Sequence, residues 1–121
     1  MPACLRIRVL LPALLLLATT TLAAAGYPSA LAREVPLYPH AQLDSASENA
    51  NGASAVINTT STVDYAARYY RDQLAGKGWR QTAELAIGTA RALEFSRDKS
   101  NISISIMPTS AGTTIAVSFN R

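Results

Sequence analysis

The sequence predicts an α+β domain in which one α-helix packs on one face of a four- to five-stranded, mainly antiparallel sheet, in the order β-α-β-β-β-β. Three observations predict it. Val63, Ala66, Ala67, Tyr70 and Leu74 recur at i, i+3, i+4, i+7 and i+11, the spacing of a helix with one buried stripe. After Trp79 the period becomes two: Ile102, Ile104 and Ile106 alternate with Ser103 and Ser105, and Ile115, Val117 and Phe119 alternate with Ala116 and Ser118. The links between these runs, Ala86–Ala90, Arg97–Ser100 and Pro108–Gly112, are short enough to be hairpins.

The chain of 121 residues, 49% hydrophobic and 16% charged, has the size of one domain, but its apolar residues are unevenly spread. Arg6 and Arg8 precede the run Val9–Ala18, and small residues follow through Ala25, the order of a secretory signal peptide over residues 1–25. Ala23 and Ala25 satisfy the small-residue rule for cleavage after Ala25, the favoured site, and Ala30 and Ala32 offer a second site after Ala32. An uncleaved N-terminal membrane anchor is the minor alternative. Pro12 and the Thr19–Thr21 triplet weaken it, and once the signal is cleaved no stable membrane insertion is expected.

Removal of residues 1–25 takes Arg6 and Arg8 and no acid, so the net charge falls from +3 to +1. The basic character belongs to the leader, which leaves no case for nucleic acid as a partner. Cys4, the only cysteine, precedes the apolar run and is neither a lipid acceptor nor a disulfide partner. The remaining domain must be held by its core.

Residues 26–34 read as a flexible lead-in to a single domain over 35–121. Val35-Pro36-Leu37-Tyr38-Pro39 is confined to extended or polyproline backbone by its two prolines. Residues 41–53, polar and small with Asn49, Asn51 and Gly52, read as a mobile loop before a first strand at Ala53–Asn58. Thr62 caps the helix, Asp64 favours its positive end, and Gly76 and Gly78 end it. Trp79, Ala83 and Leu85 share one parity, as do Leu93 and Phe95. Pairing Phe95 with Ile102 and Leu93 with Ile104 closes a hairpin over Arg97–Ser100 and keeps all four on the helix-covered face. Thr82, Glu84, Ala92, Glu94, Ser96, Ser103 and Ser105 then belong to the open face.

The pattern Val35-Pro36-x-Tyr38-Pro39-x-Ala41, followed by Tyr69-Tyr70-x-x-x-Leu74-x-x-x-Gly78-Trp79, resembles a family of small uncharacterised bacterial exported domains, often found in lipoproteins. The resemblance covers residues 35–120, implies a helix leading into a β-meander, and assigns no catalytic residue. This chain departs from it with His40 where the family usually has Gly, a change expected to reshape the turn, and with no lipid-acceptor cysteine after the leader.

Chemistry is sparse. His40 is the only histidine and no cysteine lies beyond residue 4, so no metal and no cofactor is expected. No nucleophile elbow accompanies His40. If Leu85 pairs with Leu93, Glu84 stands opposite Glu94, a carboxylate pair able to work as acid and base in a small hydrolase. Like charges so placed disfavour that register, and an offset pairing is the expectation. Tyr65, Arg68, Tyr69 and Asp72 form a candidate interaction surface on the helix, with Arg68 and Asp72 spaced to pair. Tyr38 and Trp79 are candidate pocket residues for a small molecule or carbohydrate. The function expected is that of an exported, periplasmic or secreted, non-catalytic module binding a protein or envelope component. Homodimerisation through the open sheet face or an edge strand at Thr113–Asn120 is compatible with the pattern.

Overall fold

The structure, a computed structural model, describes residues 26–121. The expected signal peptide and Cys4 lie outside the described residues. In order the elements are α1 (Ser29–Glu34), β1 (Gln42–Asn49), β2 (Gly52–Thr59), α2 (Val63–Ala75), β3 (Arg80–Ile87), β4 (Ala90–Arg97), β5 (Ser100–Thr109) and β6 (Gly112–Asn120). The six strands form one antiparallel sheet in the order β1-β2-β6-β5-β4-β3. The class is the expected α+β with one main helix; the sheet has six strands rather than four or five.

Helix α2 follows its sequence pattern closely. Val63, Ala66, Ala67, Tyr70 and Leu74 are all buried, and the Thr62 hydroxyl accepts the Tyr65 amide at 3.2 Å. Gly76 is the C-cap, and Gly78, at φ +86°, turns the chain in the left-handed region before Trp79. The buried stripe lies on Leu93, Phe95, Ile102, Ile104, Ile106, Ile115 and Val117, all on the same sheet face. The β4–β5 register is as expected, with Phe95 opposite Ile102 and Leu93 opposite Ile104.

The lead-in at 26–34 is not without regular structure. It contains α1, a six-residue helix whose Ala30 and Leu31 are buried against the β2 side of the sheet. A helix this short is marginal by propensity, so burial of its apolar residues is what holds it. The stretch 41–53 is not a loop either. Gln42–Asn49 pairs with β2, and the Asn49 side-chain oxygen accepts the Asn51 and Gly52 amides to close the hairpin. Seven of the eight β1 residues are exposed, so the strand carries no apolar alternation in its sequence and owes its existence to its partner.

Two strand expectations need correction. Thr113–Asn120 is no edge: β6 lies between β2 and β5, and the edges are β1 and β3. In β3 the register shifts between Gln81 and Ala83, a bulge that takes up one extra residue. Because side chains alternate with period two, that residue reverses the faces beyond it: Glu84 pairs with Leu93 on the helix side, and Leu85 pairs with Ala92 on the open side.

His40 does not disrupt the turn at which the similar exported domains usually have glycine. The Ala41 amide donates to the Tyr38 carbonyl at 3.1 Å, Pro39 stands second in the turn, and His40 takes φ +62°. That is the third-position geometry that glycine adopts without cost. His40→Gly is expected to stabilise the fold by about 1 kcal/mol, read as a higher denaturation midpoint at unchanged slope.

Candidate functional site

The open face of the sheet is lined by small polar side chains with one apolar area at the β3 edge. Ser47 and Ser54 bond across β1–β2 at 3.0 Å, Thr114 donates to Asn58 at 2.8 Å, and Ser103 donates to Glu94 at 2.9 Å. At the β3 end Leu85 (58% exposed) stands opposite Ala92, Ile87 (63%) stands opposite Ala90, and Met107 (48%) follows Ser105 on the same face of β5. Three of the five exposed large apolar residues among the described residues thus gather on one part of one face.

The two sheet edges differ. Strand β1 is interrupted by a bulge at Asp44, and Glu48 accepts the Ala30 amide of α1 at 3.3 Å, so chain and charge guard that edge. All eight residues of β3 are exposed. Within Ala83–Ile87 the sole charge is Glu84, which is turned to the helix side. Arg71 reaches it at 3.1 Å, Arg91 at 3.9 Å and Gln81 at 2.9 Å. The Gln81 hydrogen bond, with both guanidiniums and against slight desolvation, holds the Glu84 carboxyl below its ordinary range. Arg91 also pairs with Asp64 at 3.0 Å, so a chain of ion pairs fastens α2 to the outer strands and leaves the far side of β3 open.

Glu84 and Glu94 are therefore on opposite faces of the sheet and form no carboxylate pair. A hydrolase built on the two has no geometry here. Among the described residues no cluster of three or more His, Cys, Asp or Glu could hold a metal, and no helix is long and apolar enough to cross a membrane.

On the helix Tyr65 is 65% exposed, and Arg68 and Asp72 are exposed. Among the described residues no ion pair joins Arg68 to Asp72; α2 is paired through Asp64 and Arg71 instead. Tyr69 is half-buried, its ring edge-on to Tyr38 at 4.8 Å. Tyr38 and Trp79 are both buried and occupy separate packing groups. Tyr38 packs on Tyr69 and Tyr70, whereas Trp79 meets Phe119, lies under the Arg97 guanidinium at 4.5 Å and donates to Glu34 at 3.3 Å.

The clefts lie at the periphery. One cleft, of about 420 Å³, opens where the start of α2 meets the β3–β4 and β5–β6 turns, and Thr60, Ser61, Thr62, Thr89 and Arg91 line it. Its Arg91 is already engaged by Asp64 and Glu84.

A family model described as START domain-like matches residues 40–113, more than half of the chain. The protein belongs to the START domain-like family. The match runs from the His40 turn to the first residues of β6 and leaves out α1 and the Val35–Pro39 arm. No curated protein and no solved structure matches the chain significantly.

The apolar area at β3 was not legible in the sequence, because the bulge that exposes Leu85 and Ile87 was hidden in the expected parity. The one local signal was a polar run, Arg80-Gln81-Thr82, ahead of the apolar residues, a pattern that accommodates a bulge without requiring one.

One buried group and one partly exposed group invite direct tests. The Tyr70 hydroxyl is buried with no hydrogen-bond partner, and burial, with Tyr27, Tyr69 and Tyr38 nearby, pushes its ionisation well above the ordinary phenol range. Tyr70→Phe removes an unsatisfied polar group at almost constant shape and is expected to raise stability by about 1 kcal/mol in urea unfolding. Glu34 is partly desolvated, yet hydrogen bonds from Arg97 and Trp79 and the charges of Arg97 and Lys77 hold it below its ordinary value of 4.5. A carboxylate so lowered stabilises the fold above that value, and the contribution is lost as pH falls through the lowered one. Glu34→Gln is expected to cost about 1 kcal/mol at neutral pH, with the deficit closing in melts taken down to about pH 3.

Proposed function

We propose that the protein is an exported, non-catalytic binding module of the bacterial cell envelope, and that it captures a partner protein which adds an extended strand to β3. The observation that carries this reading is the exposed apolar area of Leu85, Ile87 and Met107 beside an edge strand whose residues are all exposed. An added strand would satisfy the outward backbone groups of β3, and its side chains on the open face would cover the apolar ones. The guarded β1 edge explains why one side of the sheet alone is offered. The leader-like N-terminus and the resemblance to exported bacterial domains support the location. The separation of Glu84 from Glu94 on opposite faces supports the absence of catalysis.

A second reading, a small polar ligand, attaches to the hydroxyl-lined cleft beside Arg91 rather than to Tyr38 and Trp79, which are core. One capture experiment from envelope extracts compares them. The expected result is a partner retained by the wild-type protein and by Tyr65→Ala/Arg68→Ala, and lost with Leu85→Lys/Ile87→Lys, whose exposed sites leave the fold intact. Loss with the tyrosine–arginine variant alone would move the contact to α2. No partner with any variant, together with a ligand-induced rise in melting temperature abolished by Arg91→Ala, would favour the cleft.

A further inference from the structure

We infer that the leader is removed at the Ala25–Gly26 bond, and that the alternative bond after Ala32 is not a processing site because it lies inside a helix that the folded domain needs. The inference rests on the export reading and goes beyond it by assigning the first residue of the mature chain. Water adds across the Ala25–Gly26 amide: the leader departs with the new Ala25 carboxylate, and the domain keeps the new Gly26 ammonium. The enzyme class is an endopeptidase accepting small residues one and three positions before the bond, here Ala25 and Ala23.

The structure distinguishes the two bonds where the sequence leaves both open. Cleavage after Ala32 would remove Ala30 and Leu31, which are 2% and 0% exposed. It would also remove the Tyr27 hydroxyl that donates to the Val35 carbonyl at 2.6 Å and the Ala30 amide that meets Glu48 at 3.3 Å. The packed N-terminal segment reaches back to Tyr27. Tyr27 is partly buried against the core, and cleavage after Ala25 leaves it in place.

The test is intact-mass and N-terminal analysis of the full-length gene product in an exporting bacterium, as wild type, Ala25→Tyr and Ala32→Leu. A wild-type product beginning at Gly26, unchanged by Ala32→Leu and lost with Ala25→Tyr, is the expected result. Any Ala25→Tyr product that begins at Arg33 should accumulate about tenfold less than wild type, because the truncated domain lacks its helix and is degraded. A wild-type product beginning at Arg33, or an Arg33 product from Ala25→Tyr at wild-type abundance, would overturn the inference while export stands. A chain retained intact from Met1 would overturn the inference and the export reading together.

Discussion

A thirteen-residue helix is about 20 Å long and about 10 Å wide, while six paired strands span about 24 Å, so α2 cannot cover one face of this sheet. The rest of the architecture answers that shortfall. Helix α2 lies over β3, β4 and β5, α1 packs on the β2 side, and Val35 and Tyr38 of the connecting arm are buried with them. The tyrosines fill the junction: Tyr38, Tyr69 and Tyr70 pack with ring centres 4.8 to 6.0 Å apart, large surfaces suited to the gap between arm and helix. The orphaned Tyr70 hydroxyl is what that filling costs in polar satisfaction.

Coverage stops short at β3. There the helix reaches the strand through charge rather than apolar contact, by Arg71 and Arg91 on Glu84 and by Asp64 on Arg91. Exposed pairs of this kind contribute little individually, so the outer strand is held chiefly by its ladder to β4. A strand tied on one side, with its outer face apolar, has the properties of an acceptor for another strand. At the opposite margin the chain entering from Gly26 crosses Leu43 and continues into α1, and Glu48 receives the Ala30 amide. The asymmetry of the two edges follows from where the N-terminal segment is placed.

Between α2 and the central strands, Ile102, Ile104, Ile106 and Ile115 are essentially inaccessible to solvent. Membership of the START domain-like family describes the frame of this chain over residues 40–113. The ion and hydrogen-bond group of Glu34, Arg97, Trp79 and Lys77 locks α1 to the end of α2 and to β4, so the segment that precedes the family match is built into the same domain.

The sequence by itself determined α2, its cap and its buried face, the β4–β5 hairpin with its register, and the alternation of β5 and β6. Each of these is encoded by a periodicity local to one or two elements. Tertiary structure decided the remainder. Strand β1 and helix α1 are held by contacts with distant residues and carry no periodic pattern of their own. The position of β6 inside the sheet depends on its pairing with β2, more than fifty residues away, a choice no hairpin rule contains. The bulge in β3 decided which face bears Glu84 and which bears Leu85, because a single extra residue reverses a period-two pattern without changing its composition. The proposed contact surface belongs to this second group, since it exists only where an edge, a face and a break in register coincide.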